Sequence, residues 1–420
     1  MPHPDSPHPD FPARTGRTRR ISQLVAGEPG TIAGRVCLSD AETRLVDESG
    51  SIRILDHNPV PSHTLIEADG VWKDGGFHVQ SEIRILAPSR KDPVTRRRQH
   101  EIRARVLRNI RTWFDERDYL EVETPLLIRV PGMEPHLRTF ETRSEDGRQL
   151  YLPTSPEYAM KRLLSEGLER IYQICKSFRD EPAAPFHNPE FTMLEWYRAY
   201  ADYSQIAEDT EQLVAHLARQ MTGSHRLSFR DTVTDLTPPW ERLTVREAFS
   251  RYSDVDADPC DPDSFLEAAR ASKLSDIDAK DDADSAFFKI FLDQVEPRLG
   301  SPRPTILTEY PTRMGALAKR SSHDPTIAER LEVYIAGIEL ANAFTELNDP
   351  EEQRTRLEQE SDKRRDLGMP EYELDQQFLG ALEQGVPPSG GIALGVDRLI
   401  MLLTDAPHIA DVLAFPFPDL

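Results

Sequence analysis

The stretch IYQICKSFRDEPAAPFHNPEFTMLEWYRAYADY, from Ile171 to Tyr203, decides how this chain is organised. Two runs typical of β-strands flank a turn at Glu181–Pro185, where prolines interrupt strand pairing. One face of the second run carries, at alternate positions, Phe191, Met193, Glu195 and Tyr197. Together with Arg179 before the turn, this face offers a guanidinium, an aromatic ring, a carboxylate and a phenol. The set suits a phosphate, a purine base and an ammonium group.

The bulk composition is that of an ordinary globular protein. The chain has 420 residues, 38% hydrophobic and 29% charged, enough for two or three domains. Its formal net charge of −21 argues against a protein that wraps nucleic acid through long-range attraction. Three widely spaced cysteines favour a reducing cytoplasm without structural zinc. Neither a membrane-spanning segment nor a secretion signal is indicated, so we expect a cytoplasmic protein.

The N-terminal quarter predicts a tail and a small barrel. Residues 1–20 are rich in proline, histidine and arginine and are expected to be disordered. Residues 21–89 contain five short β segments separated by turn residues, which favours an OB-like β-barrel. Such barrels often bind single-stranded nucleic acid, but few aromatic side chains are present here, and a role in protein interaction is an equal alternative. Residues 90–99, polar and basic with a proline, are the predicted linker.

The remainder, residues 100–420, is predicted to be one α+β catalytic domain. Ile102, Val106, Ile110 and Phe114 recur at helical spacing, and the helix is expected to end near Asp118 before a strand that closes on Pro125. A second helix is predicted from Glu157 to Glu169. The charged segment Glu351–Arg365 reads as a helix with a solvated face. Finally, GGIALGVDRLIMLL indicates glycines that lead into an apolar helix.

Several separated motifs give this domain a family resemblance. They are ETP at Pro125, TSPEYAMKRLL, FRDE with HNPEFTMLEWY, ELANAFTELNDPEEQ and GIALGVDR. In this order they resemble the catalytic domain of class II aminoacyl-tRNA synthetases of the lysine type. The resemblance implies an antiparallel sheet with flanking helices, preceded here by the barrel. It also implies a homodimer built partly by residues 100–125.

Within that group the chain looks closest to the elongation factor P lysine ligases, which attach (R)-β-lysine to a lysine of that factor. Ala393 carries much of this likeness, since lysyl-tRNA synthetases usually have glycine there and the extra methyl reshapes the amino-acid pocket. Two features depart from the ligases. They usually lack the barrel, and Ala343 stands where glycine is usual, which bears on substrate preference.

The resemblance implies a nucleotide site that holds ATP and Mg²⁺. Arg179 would bridge the α-phosphate and the substrate carboxylate, and together with Glu339 and Arg398 it forms the expected catalytic set. Phe191 would stack beneath adenine, with Arg398 over its other face. Glu332 and Glu339 are the expected Mg²⁺ ligands. The full set of expected ATP-binding residues is Arg179, Asp180, Glu181, His187, Asn188, Phe191, Glu339, Leu340, Gly395 and Arg398.

The same resemblance implies an anionic pocket for lysine or (R)-β-lysine. Acidic residues would recognise a dication by charge complementarity, strengthened where water is excluded. The expected substrate-binding residues are Ser155, Pro156, Glu157, Glu195, Tyr197, Asn342, Phe344, Glu346 and Ala393. Taken one at a time, most of these would be ordinary core or surface residues, and their joint occurrence carries the prediction.

Three functions compete. The first is an ATP-dependent ligase that lysylates elongation factor P. The second is a compact lysyl-tRNA synthetase, which the barrel favours but which the acidic balance disfavours, since tRNA binding rewards basic surfaces. The third is a non-catalytic paralogue that acts as a binding subunit. The third is disfavoured because the expected site residues are all present, namely Arg179, Glu181, Glu339, Glu346 and Arg398.

Overall fold

The structure, a computed structural model, describes residues 17–39, 42–57, 60, 62, 64–87, 93–272 and 277–419. Of the tail predicted to be disordered, residues 1–20, the first 16 residues lie outside the described part of the chain. Residues 17–20 lie along the first strand, where the amide of Thr18 donates to the carbonyl of Thr31 at 3.0 Å. The chain divides into two compact units between Glu101 and Ile102.

The first unit is the predicted small barrel. Its strands are β1 (Pro29–Ser39), β2 (Glu42–Asp47), β3 (Gly50–Leu55), β4 (Leu65–Lys73), β5 (Gly76–Val79) and β6 (Arg84–Ala87). They pair in the order β1-β2-β3-β5-β4, and β4 pairs again with β1, which closes five strands on themselves. Apolar side chains at alternate positions fill the interior, among them Ile32, Val36 and Phe77. The OB-like barrel is therefore confirmed.

The second unit is an α+β domain. In chain order its elements are α1 (Pro93–Asp115, whose first turns precede the unit boundary), β7 (Leu120–Glu121), β8 (Glu141–Arg143), β9 (Gln149–Tyr151), α2 (Glu157–Ser165), β10 (Arg170–Phe178), β11 (Glu190–Ala199), α3 (Tyr203–Thr222), β12 (Arg226–Phe229), β13 (Thr232–Asp235), β14 (Glu241–Thr244), α4 (Val245–Tyr252), α5 (Pro262–Ala271), α6 (Ala283–Ile290), β15 (Thr305–Pro311), β16 (Ile327–Ile335), β17 (Ile338–Thr345), α7 (Pro350–Asp366), α8 (Gln376–Gly385), β18 (Ser389–Gly395) and α9 (Val396–Thr404).

A large sheet organises this unit, with strand order β14-β15-β16-β17-β18-β11-β10-β7. All its pairings are antiparallel except the outermost pair at each edge. Helices α1, α3 and α9 contribute to the main apolar core, where Val106, Ile110 and Phe114 of α1 are fully buried as their helical spacing predicts. A separate apolar cluster joins α2 and α8 to the strand residues Tyr197 and Phe344. The class II-like fold is confirmed.

The predicted hairpin is present as β10 and β11, but several helix limits differ from expectation. Helix α1 begins at Pro93, inside the predicted linker, since proline suits the first turn of a helix, and it ends at Asp115 rather than near Asp118. Helix α2 ends at Ser165, because Gly167 adopts a left-handed φ of +95° that stops the helix. Sequence periodicity does not resolve such ends.

The prediction of a solvated face for the charged helix α7 is wrong in part. Arg364 is completely buried and donates to the carbonyl oxygens of Glu134, Leu137 and Pro370 at 2.5–3.0 Å. Arg356 is also buried and donates to the carbonyl of Ala318 at 2.7 Å. A guanidinium can donate hydrogen bonds to several carbonyls at once, so a buried arginine is tolerated here. The charged sequence of α7 alone suggests a surface position.

Candidate active site

A cavity of about 290 Å³ opens on one face of the large sheet, over strands β11, β18 and β17. Most of the residues predicted for the site line it. These are Ser155, Glu157, Arg179, His187, Asn188, Phe191, Glu195, Tyr197, Glu339, Leu340, Asn342, Phe344, Glu346, Ala393, Gly395 and Arg398. The cavity runs along β11, whose residues from Phe191 to Tyr197 span roughly 20 Å at strand spacing.

Strand register explains why these residues meet. Glu195 lies opposite Ala393, and Ala393 lies opposite Asn342 on the next strand. Paired residues of antiparallel strands project to the same side of a sheet, so these three side chains form one row across the cavity floor. Tyr197, Gly391 and Phe344 form the next row. By the same register, Ala343 points to the opposite face, where it is buried in the main core.

The hairpin end of the cavity carries the expected nucleotide residues. The Arg179 guanidinium carbon lies 5.3 Å from the ring centre of Phe191. Nε of Arg179 is buried and has no hydrogen-bond partner among the described residues. Because an unpaired buried donor is costly, this nitrogen is available to an anionic ligand. His187 stands 3.1 Å from the carboxylate of Glu181, and burial lowers the pKa of its imidazole.

Arg398 enters the cavity from the first turn of α9. It donates to the carbonyl oxygens of Glu339 at 2.7 Å and Phe186 at 3.2 Å. The preceding residue, Asp397, accepts from Arg103 at 2.5 Å and from the amide of Thr192 at 2.7 Å. These two bonds tie the start of α9 to helix α1 and to strand β11. Arg398 is therefore held at a fixed height above the sheet.

The other end of the cavity is acidic. Glu195 is 1% exposed and accepts hydrogen bonds from Ser155 at 2.6 Å and Tyr197 at 3.1 Å. Burial raises the pKa of Glu195 to about 8, and the negative charge of Glu157 adds to this. Burial also raises the pKa of Glu346. An enclosed carboxylate with a raised pKa favours a cationic partner, which lets it ionise.

Four predicted residues do not line the cavity. Pro156 precedes the first turn of α2, and the Asp180 side chain is exposed. The Glu181 carboxylate faces His187. Glu332 lies on β16, where its carboxylate accepts from Tyr310, Tyr334 and Arg330, each at 2.5 Å. Asn188 does line the cavity, but its side-chain oxygen already accepts from the amide of Phe417 at 3.0 Å.

Comparison with known proteins agrees with this geometry. Residues 82–418 match the family described as tRNA synthetases class II (D, K and N). This chain belongs to the class II tRNA synthetases. It is 41% identical over 320 residues to the "Elongation factor P--(R)-beta-lysine ligase" of Proteus mirabilis (strain HI4320), covering 75% of this chain and 93% of that protein.

Two further relatives show the same degree of identity. The protein of the same name from Salmonella paratyphi B (strain ATCC BAA-1250 / SPB7) is 41% identical over 319 residues, 74% of this chain and 93% of the relative. The "Lysine--tRNA ligase" of Moorella thermoacetica (strain ATCC 39073 / JCM 9320) is 41% identical over 317 residues, but these cover only 64% of its length and 75% of this chain. The identity and the covered share of this chain are the same for both kinds of relative. The two differ in how much of the relative's own length is covered.

Class II synthetases typically use Mg²⁺, and one carboxylate of this cavity suits that ion. Glu339 lies in the cavity, and burial together with the negative charge of Glu332 raises the pKa of its carboxyl group. A bound cation would stabilise the ionised form of this carboxylate. Glu332 is already engaged by three donors. Within the described part of the chain, no group of three or more His, Cys, Asp or Glu side chains is arranged to hold a metal ion. Glu339 therefore fits a Mg²⁺ site that substrate phosphates would complete.

Several residues at or behind this cavity are not indicated by the sequence motifs. Lys161 forms ion pairs with Glu157 and Glu346, and its position four residues after Glu157 is a signal of such a pair. Gly391 lies against Tyr197 and Glu346. The remaining residues that line the cavity and were not predicted are Glu134, Leu137, Phe186, Thr192, Leu317, Ala341, Ile392, Asp397 and Ile409. None of the described helices combines the length and apolar character that crossing a bilayer demands.

Proposed function

We propose that this protein is an ATP-dependent ligase that activates lysine or (R)-β-lysine as an adenylate and transfers it to a lysine side chain of elongation factor P. One observation carries the proposal. A guanidinium over an aromatic ring at Arg179 and Phe191, and the acidic group around Glu195, share one cavity along a single strand. The first pair suits a nucleotide and the second suits a diamino acid.

In the first step, an oxygen of the amino-acid carboxylate forms a bond to the α-phosphorus of ATP, and the bond to pyrophosphate breaks. Arg179 would hold both reacting groups, since its planar fork bridges a carboxylate and a phosphate. Arg398 would lie over adenine opposite Phe191. Glu339 would hold Mg²⁺, which when bound would supply positive charge to stabilise the departing pyrophosphate. The tyrosine and carboxylates at the acidic end would hold the ammonium groups.

In the second step, the acceptor amine attacks the carbonyl carbon of the adenylate, an amide bond forms, and AMP leaves with the bonding electron pair. The amine must be uncharged when it attacks, so its ammonium form first loses one proton to solvent. The nitrogen loses a second proton, to AMP or to solvent, as the amide forms. No covalent bond to the enzyme is needed. Cys175 supports this, because burial raises the pKa of its thiol to about 12 and leaves it a poor nucleophile at neutral pH.

The choice of acceptor is supported by the relatives. The ligases of elongation factor P align over 93% of their length, against 64% for the lysine–tRNA ligase. The net charge of −21 also favours a protein acceptor over tRNA. We further propose a cytoplasmic homodimer. Leu120, Leu126 and Leu127, which follow α1, are 42–56% exposed and would be covered by the second copy.

The alternative, a compact lysyl-tRNA synthetase, is favoured by one observation, the closed N-terminal barrel, which suits an oligonucleotide-binding role. A parallel assay separates the two functions. The purified protein is incubated with ATP, Mg²⁺ and radiolabelled lysine or (R)-β-lysine, with either elongation factor P or lysine tRNA as acceptor. Label on the factor, lost when its acceptor lysine is replaced, is the expected result. Efficient charging of tRNA with the factor left unmodified would contradict the proposal.

A further inference from the structure

Lys161 is a buried cation behind the acidic end of the cavity. It lies on α2, one turn after Glu157, and its side chain is 1% exposed. Its Nζ lies 2.5 Å from Oε1 of Glu157 and 2.5 Å from Oε2 of Glu346. Both carboxylates line the cavity, and Lys161 does not. It therefore acts on a bound molecule only through these two partners.

The surroundings keep Lys161 charged. Burial alone would lower the pKa of this amine, but the charges of Glu157 and Glu346 outweigh burial and raise it above its ordinary value. The ring of Phe378 on α8 lies 5.8 Å away and adds a weaker attraction. The other ionisable groups that face this cluster are Glu195 and Tyr197 on β11, Tyr158 on α2 and Glu134 from the segment between β7 and β8.

The pairing leaves each acid able to bind a ligand. Lys161 contacts one oxygen of Glu157 and one of Glu346, so the second oxygen of each carboxylate stays available to the cavity. Glu134 is counted as neutral, because burial raises the pKa of its carboxyl group. The other three carboxylates, Glu157, Glu195 and Glu346, together carry three negative charges when ionised, and Lys161 cancels one. The remaining two match the two ammonium groups of a diamino acid whose own carboxylate is paired with Arg179. A buried site favours such neutrality, because uncompensated charge is costly away from water.

We propose that Lys161 is a positioning residue that orients Glu157 and Glu346 and sets the pocket charge for an amino acid with two ammonium groups. This inference rests on the proposed function, since it concerns the substrate class of the same site. A pocket with an unopposed third carboxylate would take up a proton in place of a substrate charge. Lys161 thus offsets part of the increase in pKa that burial imposes on Glu195 and Glu346, so that these acids ionise more readily when the ammonium groups of the substrate arrive.

The test follows lysine- and (R)-β-lysine-dependent ATP–pyrophosphate exchange from pH 6 to pH 9.5 for the wild type, Lys161→Met and Lys161→Arg. The pH dependence of kcat/KM reports the free enzyme, and the carboxylates must be ionised to bind ammonium, so kcat/KM should rise through the acid limb. In Lys161→Met that limb should move to higher pH by about one unit, because the carboxylates lose a neighbouring cation. At pH 7 the KM for lysine should rise about ten-fold or more, with kcat and the KM for ATP changed far less.

Two further variants complete the design. Lys161→Arg retains the charge and should restore most of the pH profile. Lys161→Met combined with Glu157→Gln removes one charge of each sign, so it should fold even where the single variant does not. Its acid limb should return towards the wild-type position while KM stays high. Lys289→Met, a surface lysine paired with Asp281 and 40% exposed, is the matched control and should behave as wild type.

Three outcomes would overturn the inference. One is a Lys161→Met enzyme whose kcat/KM falls equally at every pH, which indicates a purely structural role. The second is an unchanged profile. The third is a Lys161→Arg enzyme no better than Lys161→Met. A wild type that exchanges pyrophosphate with neither diamino acid overturns the proposed function and the inference together, whereas normal wild-type exchange with an unmoved variant profile overturns the inference alone.

Discussion

Replacing Gly391 by alanine should strongly lower kcat/KM for the amino acid without unfolding the protein. A methyl group at Gly391 would lie 2.2 Å from Oε1 of Glu346 and 2.3 Å from Cε1 of Tyr197, both closer than van der Waals contact permits. The Glu346 side chain has to swing away, since its carboxylate is the more movable neighbour. Overpacking of this kind destabilises a protein by about 1–3 kcal/mol. The domain is large enough to tolerate that loss.

The effect on activity follows from the displaced carboxylate. A hydrogen bond between charged groups contributes about 1.5–3 kcal/mol, so losing the contact between Glu346 and a substrate ammonium should lower kcat/KM for the amino acid about 10- to 150-fold. The KM for ATP should change little, because Gly391 lies in the row of Tyr197 and Phe344, at the acidic end. ATP–pyrophosphate exchange at varied lysine and at varied ATP measures both quantities.

Gly380→Ala is the matched control for this substitution. Gly380 lies in α8, where an added methyl meets nothing within 4 Å. Alanine in a helix stabilises by about 0.5–1 kcal/mol relative to glycine, so this variant should melt slightly higher and keep full activity. If Gly391→Ala retained wild-type kcat/KM for the amino acid, or lost affinity for ATP and amino acid equally, the assignment of Glu346 and Tyr197 to the substrate pocket would be refuted.

Two other substitutions probe the two ends of the cavity. Ala393→Gly removes a methyl between Glu195 and Asn342 and should shift the ratio of kcat/KM values from (R)-β-lysine towards α-lysine about ten-fold, since one methylene group changes discrimination by about that factor in a pocket. The control, Ala343→Gly, makes the same change on the core side of β17 and should leave this ratio unchanged. An unchanged ratio in Ala393→Gly would count against the proposed amino-acid pocket. Phe191→Ala should raise the KM for ATP about ten-fold or more through lost stacking on adenine, measured by the same exchange assay, while the KM for lysine stays near wild type; equal rises in both would rule out a specific role in adenine binding.

The sequence predicted the floor of the cavity because strand alternation is a simple rule. Phe191, Met193, Glu195 and Tyr197 follow a period of two, and all four do line the cavity. The motifs ELANAF and GIALG predict neighbouring strands, but their register is set by pairing across long stretches of chain. The row that joins Glu195, Ala393 and Asn342 is therefore visible only in the structure.

Charged residues were harder to interpret. Arg364 looks like a surface residue among its charged neighbours in the sequence, but backbone carbonyls more than 200 residues away along the chain surround it. Lys161 is paired with Glu346 by the same kind of long-range contact. Glu332 is an expected Mg²⁺ ligand in the sequence, whereas two tyrosines and an arginine donate hydrogen bonds to its carboxylate on β16. A single sequence does not show which partner a charge will meet.

ATP–pyrophosphate exchange shows whether this cavity activates a diamino acid with ATP. The purified wild-type protein is assayed with ATP, Mg²⁺ and labelled pyrophosphate in the presence of lysine, (R)-β-lysine, leucine or glutamate. We predict label in ATP with lysine or (R)-β-lysine and background levels with leucine and glutamate, which lack a second ammonium group. Exchange with none of the four, or equal exchange with all of them, would show that the cavity does not select and activate a diamino acid.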